Sequence, residues 1–230
     1  MMVMAMSKKE LIAVPLKPGA YEKPERTNPN IPARTYDNID KACEQTQIAN
    51  DGNAYIPEKS MPQLLNRNKR ETNYIVDNKI PEEDKTTINN QRFLNTAGVV
   101  GYLDKNSHQT RNSEEADLNR YGRESLTRIG DSDQAEAQRR RIDAQVNRAL
   151  PQLRNQRGTD VDEITGRPLE KGAAFHHTNN KAIHNNPLDV IDPEQGINVN
   201  PETHKEIHKR GIMDKNELEA NRESIKDKLK

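Results

Sequence analysis

The stretch EQGINVNPETHKEIH, residues 194–208, predicts a short strand followed directly by a helix. Asn200 is a favourable N-cap residue and Pro201 a favourable first helical residue, so the helix is expected to begin there. His204 and His208 lie four residues apart and therefore share one face of that helix. Two imidazoles at this spacing can bind one divalent metal ion, although they rarely suffice without a third ligand.

Two adjacent histidines, His176 and His177, end a second predicted strand upstream. In an extended chain, the side chains of neighbouring residues point to opposite faces. One of the two can therefore supply the third metal ligand while the other faces a substrate as a general base. A His-x-x-x-His pair alone is more often solvated than metal-binding, so it is the combination that favours a site. His184, between the two elements, is expected to be a loop residue without a role.

Four segments taken together resemble the HNH endonuclease family of the ββα-metal superfamily. They are DEITGRPL at 162–169, AFHH at 174–177, EQGINVNP at 194–201, and the two helical histidines His204 and His208. The resemblance is to the histidine-rich branch that includes the colicin-type DNases, and it covers roughly residues 160–210. It implies an α+β fold in which a β-hairpin and a helix surround one metal ion. The turn at Thr165 and Gly166 lacks the cysteine zinc knuckle of other branches.

The resemblance also assigns roles to individual residues. It places three histidines in the metal shell: His176, His204 and His208. It makes His177 the general base. The family's central asparagine, which orients the loop that presents the base, is replaced by Gln195, whose amide lies one methylene farther out. Gln195 therefore either keeps this catalytic role or weakens activity, and Asn185 and Asn186 are alternative candidates with a poorer spacing.

The function implied by the resemblance is metal-dependent hydrolysis of phosphodiester bonds in DNA, with RNA as an open alternative. The cofactor would be one divalent ion: Mg²⁺, Mn²⁺, Ni²⁺ or Zn²⁺. Because a base histidine must be neutral, activity should fall below about pH 6.5, the unperturbed imidazole pKa. Seven basic residues are candidates for phosphate binding, with a solvated surface charge as the alternative for each: Arg139, Arg140, Arg141, Arg167, Lys171, Lys209 and Arg210.

Two other functions stay open at this point. The first is a non-catalytic protein that keeps a metal-stabilised HNH fold and binds nucleic acid or a partner, an interpretation that Gln195 favours. The second is a disordered adaptor whose histidines are incidental, an interpretation that the low apolar content favours.

Composition bounds the rest of the chain. Hydrophobic residues make up 31% of the 230 residues and aromatic residues 3%, so much of the chain is predicted to stay extended or disordered. Acidic and basic residues number 36 each, which argues against a chain-wide attraction to nucleic acid. Cys43 is the only cysteine, so a disulfide framework is not expected and a reducing compartment fits. With no signal-peptide pattern and no apolar run of about 20 residues, we predict a cytoplasmic protein, or one in the host cytoplasm if phage-encoded, without a membrane partner.

These patterns predict four segments in chain order. Residues 1–132 are expected to form a mostly disordered or extended arm, or an adaptor segment that folds on a protein partner. Within it, residues 93–103 are apolar enough for a short strand or a docking segment. Residues 133–157 are predicted to be a basic helix or linker, and 158–212 the HNH-like ββα-metal domain. Residues 213–230 are predicted to be a charged C-terminal helix.

Overall fold

The computed structural model describes residues 11–179 and 187–229. The chain divides into two compact units, and the division falls between Arg140 and Arg141. Both units combine helices with antiparallel strands, which confirms the predicted α+β class. In the described part of the chain, no helix combines the length and the apolar character that crossing a membrane requires.

The first unit contains a five-stranded antiparallel sheet in the order β1-β2-β3-β5-β4. Its strands are β1 (Ala13–Pro15), β2 (Gln47–Ala49), β3 (Ala54–Pro57), β4 (Lys85–Ile88) and β5 (Gln91–Asn95). Its helices are α1 (Ala33–Cys43), α2 (Met61–Leu64), α3 (Lys69–Lys79), α4 (Thr96–Gln109) and α5 (Ser113–Gly130). They are followed by α6 (Asp133–Ala149), which lies within residues 133–157, the predicted basic helix or linker.

The prediction of a mostly disordered arm over residues 1–132 is wrong for residues 11–132. The average composition concealed a core whose members are scattered along the chain. Ile39, Ile56 and Leu103 are fully buried in one cluster, although they come from three different elements. The buried Asp40 carboxylate also has partners, because it accepts a hydrogen bond of 2.7 Å from the hydroxyl of Tyr121. The few apolar residues are therefore concentrated in the interior, where their burial offsets the entropy lost when the chain becomes ordered.

Residues 93–103, predicted as a short strand or a docking segment, are divided between two elements. Phe93 and Leu94 belong to β5, and the chain turns into α4 at Thr96. The side chain of Asn95 accepts a hydrogen bond of 2.9 Å from the backbone amide of Ala97. This N-cap starts the helix directly after the strand, so the apolar run serves two elements in succession.

The second unit combines a two-stranded sheet with helices. After α6, its elements are α7 (Leu153–Arg157), β6 (Ala174–His177), β7 (Gly196–Val199), α8 (Pro201–Lys209) and α9 (Lys215–Lys228). The sequence predicts both strands, α8 and α9, but not a separate helix at α7. The antiparallel register of β6 and β7 places His176 opposite Ile197 and His177 opposite Gly196. The small core combines side chains of β7, α8 and α9, among them Val199, Ile207 and Leu218. The charged C-terminal helix α9 is therefore an integral part of this unit.

A buried carboxylate ties the turn before β6 to the start of α8. One oxygen of Asp162 accepts hydrogen bonds from the amides of Ile164 (3.0 Å) and Thr165 (2.8 Å), and the other accepts from the amide of Asn200 (2.7 Å). Burial alone would raise the pKa of Asp162, but these backbone donors hold it below its usual value. The turn that lacks a zinc knuckle is thus held by a carboxylate.

Candidate metal centre

Three histidines from two elements converge in the second unit. His176 lies on β6 with 8% of its surface exposed, while His204 and His208 lie on one face of α8. The Nε2 atoms of His204 and His208 are 3.2 Å apart. The ring of His176 is centred 5.3 Å from each of the other two rings. One nitrogen from each residue lies within 4.8 Å of the others, so the three histidines are close enough to hold a metal ion.

The distances fit a metal bound through nitrogen. A tetrahedral Zn²⁺ ion about 2.0–2.1 Å from each nitrogen holds its ligand nitrogens about 3.3 Å apart. The two α8 histidines already match this separation at 3.2 Å. Across all three histidines the candidate ligand nitrogens lie within 4.8 Å of one another. Side-chain movements of about 1–2 Å would therefore bring them to the separation that a bound ion requires. A three-histidine set is also a common donor set for catalytic zinc, with a fourth position left for water or substrate.

Burial keeps the candidate ligands able to bind. Burial first, and then the neighbouring histidines, lower the pKa of His176 to about 4. The pKa of His204 is also lowered, by burial and by His208. A metal binds the neutral imidazole, which these shifts favour at neutral pH.

A backbone carbonyl selects one tautomer of the neutral His177 ring. Its Nε2 lies 2.7 Å from the carbonyl oxygen of Val190. A carbonyl oxygen only accepts hydrogen bonds, so in the neutral ring Nε2 carries the proton and Nδ1 carries the lone pair. The Phe175 ring also packs nearly perpendicular to the His177 ring, with the ring centroids 5.0 Å apart.

All four histidines line one cavity of about 520 Å³. Its other wall is apolar and is formed by Phe175, Ile212 and Met213, the last of which is 49% exposed. Gly211, at φ +66°, ends the turn after α8, and the amide of Met213 donates a hydrogen bond to Glu217 (2.7 Å). Sequence reasoning missed Ile212 and Met213, although their position shortly after the helix that carries two candidate ligands is a signal that could have found them.

Gln195 acts in the described structure through its backbone. Its carbonyl oxygen accepts hydrogen bonds from the amide of Thr178 (2.9 Å) and from the hydroxyl of Thr178 (3.0 Å). Its own amide donates to the carbonyl of Asp192 (3.0 Å). Because Thr178 directly follows His177, the backbone of residue 195 anchors the end of the strand that carries the candidate base. The orienting effect predicted for the side-chain amide is thus available from a main-chain carbonyl.

Gly196 allows the two strands to close beneath Phe175. A methyl group at this position would lie 2.3 Å from the Phe175 ring and 2.5 Å from the carbonyl oxygen of His176. We expect Gly196→Ala to destabilise the second unit by about 1–3 kcal/mol, because the ring and the strand would have to move. Urea unfolding measures this. Gly101→Ala, in open space on α4, is the matched control and should leave stability equal or slightly higher. An equally small effect of both substitutions would contradict the close approach.

The predicted phosphate-binding residues differ in their surroundings. Three of them are engaged by carboxylates on the same or a neighbouring segment: Arg140 by Glu136, Arg167 by Glu202, and Arg210 by Glu206. Arg139 donates to the carbonyl of Gly130. Among the described residues, the remaining three make no ion pair and are exposed: Arg141, Lys171 and Lys209. In each paired arginine the carboxylate partly neutralises the guanidinium charge, which weakens its attraction for a phosphate.

Three residues considered from the sequence, His184, Asn185 and Asn186, lie outside the described residues. Comparisons of the chain with protein-family models, with curated proteins and with solved structures gave no match. The resemblance to the HNH endonucleases therefore stays a hypothesis, and the case for a function rests on the geometry of the four histidines.

Proposed function

We propose that the second unit is a metal-dependent endonuclease of the HNH type that hydrolyses phosphodiester bonds in DNA. The observation that supports this most is the shared cavity. His177, whose Nε2 is held by the carbonyl oxygen of Val190, lines the same cavity as three histidines close enough to hold one ion. Hydrolysis of a phosphodiester needs both parts, a base for the attacking water and a cation at the phosphate.

The residues of the chain divide this work. His177 accepts the proton of the attacking water at Nδ1, while the carbonyl of Val190 holds Nε2–H and keeps the ring in place. His176, His204 and His208 would hold the ion, which would neutralise charge on a phosphate oxygen and on the leaving oxygen. The apolar wall of the same cavity, with Met213, offers a surface for the sugar or base beside the scissile phosphate.

The donor set narrows the choice of metal. Three imidazole nitrogens suit Zn²⁺ and Ni²⁺, whereas Mg²⁺ prefers oxygen ligands in an octahedral shell. Among the four ions considered from the sequence, we therefore propose Zn²⁺ or Ni²⁺ as the tightly bound metal. Mn²⁺ and Mg²⁺ are expected to bind more weakly, in the order that divalent ions follow at nitrogen sites.

A cleavage assay tests the proposal. Purified full-length protein is incubated with supercoiled plasmid and with Mg²⁺, Mn²⁺, Ni²⁺ or Zn²⁺ separately, and an RNA of similar length is run in parallel. Nicking and linearisation of the plasmid are expected with at least one nitrogen-preferring metal. Metal binding by calorimetry without cleavage of either nucleic acid would overturn the nuclease proposal.

Binding without catalysis is the second candidate. It is favoured by Gln195, which stands where the resemblance expects asparagine and whose described contacts are made by its backbone. In that case the metal would serve mainly to stabilise the small unit. Retention of nucleic acid without cleavage under every metal would support it.

The effect of Gln195 on activity separates its backbone role from its side-chain role. Because its carbonyl oxygen anchors Thr178, we expect Gln195→Ala and Gln195→Asn to keep cleavage rates within about fivefold of the wild type, which is about 1 kcal/mol. Initial rates on plasmid DNA measure this. A loss of more than about a hundredfold for the alanine variant, restored by asparagine, would instead assign the effect to the amide.

A further inference from the structure

The first unit carries a groove along α3 that the metal site does not explain. Two cavities, of about 410 and 600 Å³, adjoin at Ile75. The smaller is lined by residues of α3 and α4, and the larger by residues from the start of α3. We refer to the two together as the α3 groove. Each is within the usual size range of ligand pockets, about 300–1,000 Å³.

Cations dominate the polar lining of the α3 groove. Arg70, Lys79 and Lys105 are exposed and make no ion pair with any other residue that the structure describes. Arg67 also lines the groove but is paired with Glu115. Glu71 is the single carboxylate in the lining of the two cavities. Because the chain as a whole has 36 acidic and 36 basic residues, this excess is a local property that favours an anionic ligand.

Two tyrosines accompany these cations. Tyr74 is 60% exposed, unusually so for a large aromatic side chain, and lies one helical turn after Arg70. Tyr102 lines the smaller cavity and is partly buried, which raises the pKa of its hydroxyl. The neighbouring Gly101 also lines this cavity and has no atom near the position that a side chain would occupy, so the space there is open. Exposed aromatic rings interleaved with cations are typical of surfaces that bind single-stranded nucleic acid.

We propose that the α3 groove binds single-stranded nucleic acid. Arg70, Lys79 and Lys105 would contact phosphates, and bases would stack on Tyr74 and Tyr102. Stacking on these rings requires base faces that a duplex keeps covered, which favours a single strand over a double helix. An acidic peptide would satisfy the cations but gain less from the tyrosines. This inference goes beyond the proposed nuclease and does not depend on the metal centre.

Anisotropy of a fluorescent oligothymidylate tests the proposal, with full-length protein carrying His177→Ala so that cleavage cannot interfere. The double variant Lys79→Gln/Lys105→Gln is compared with Lys41→Gln/Lys59→Gln, which removes the same charge from exposed positions that do not line the groove. The groove variant should bind the oligothymidylate more weakly. The plot of log affinity against log salt should also become less steep, its slope decreasing in magnitude by about 1.4, or about 0.7 for each lost phosphate contact. The control variant should keep both values. Equal effects of the two double variants would overturn the proposal.

Tyr74→Ala tests the stacking separately from charge. It should weaken oligothymidylate binding by about fivefold or more, whereas Tyr74→Phe should bind like the parent because the ring is kept. Tyr74 is exposed, so an unchanged melting curve is expected for both variants. The proposal would be overturned if duplex DNA bound as tightly as the single strand. It would also be overturned if polyglutamate displaced the oligonucleotide and every groove variant bound polyglutamate more weakly by the same factor as the oligonucleotide. Because these experiments measure binding and not cleavage, they test the α3 groove even if the nuclease proposal fails.

Discussion

His177→Ala is expected to lower cleavage of plasmid DNA by about 10²–10⁴-fold while leaving metal binding intact. The substitution removes the only described imidazole of the cavity that lies outside the three-histidine set. If the other three imidazoles hold the metal, their lone pairs are occupied, so none of them is expected to replace His177 as the base. Cleavage rates under saturating metal measure the first effect, and calorimetry with Zn²⁺ or Ni²⁺ measures the second.

His108→Ala is the matched control for this variant. His108 is exposed on α4 of the first unit, where its ring lies 3.9 Å from Asp104, so its removal should leave cleavage unchanged. If His177→Ala cleaves at the wild-type rate, His177 is not the base. If it loses the metal together with activity, its role is in building the site rather than in proton transfer.

The convergence of His176, His204 and His208 could be predicted from the sequence because its signals are local. The spacing of His204 and His208, the N-cap position of Asn200 and the strand that ends in a histidine doublet each depend on a few neighbouring residues. Even so, Asn200 fills its position differently from the prediction. Its side chain accepts a hydrogen bond from Glu170 and donates one to the carbonyl of Pro168, so it fastens the preceding turn instead of capping α8.

The first unit could not be predicted in this way because its stability comes from distant pairs. The hydrogen bond between Tyr121 and Asp40 spans 81 positions of the chain. Ile39 and Leu103 meet in one cluster, and no short window of sequence shows this. Composition averages over such pairs, so it described a folded unit as a disordered arm.

Contacts made by the backbone could not be predicted from the residue types either. The carbonyl of Val190 that orients His177 could belong to any residue type, and so could the carbonyl of Gln195 that holds Thr178. The catalytic role of the Gln195 side chain therefore stays a prediction, because the contacts that the structure describes for this residue are made by its backbone.

Removal of the metal is expected to destabilise the second unit as well as to abolish activity. Its apolar core is small, and an ion bound by β6 and α8 would join its two main elements. At a free metal concentration about 100 times the dissociation constant, binding adds about 2.7 kcal/mol to the stability of the folded state. A chelator, or His208→Ala, should remove this contribution. Hydrogen exchange followed by mass spectrometry should show lost protection in residues 141–179 and 187–229, with residues 11–140 unchanged.

Acidification should reproduce the effect of the chelator and should also weaken the metal-free protein. Burial and the neighbouring histidines lower the pKa of His176 from 6.5 to about 4, so the unfolded chain binds more protons than the folded one between these values. Stability therefore falls as the pH drops through that window, and above about pH 6.5 this histidine has no effect because it is neutral in both states. Urea unfolding of chelator-treated protein at pH 7.5 and at pH 5 measures the difference, which His176→Ala should reduce and His108→Ala should not. A metal-free second unit equally stable at both values would contradict the burial of a neutral His176.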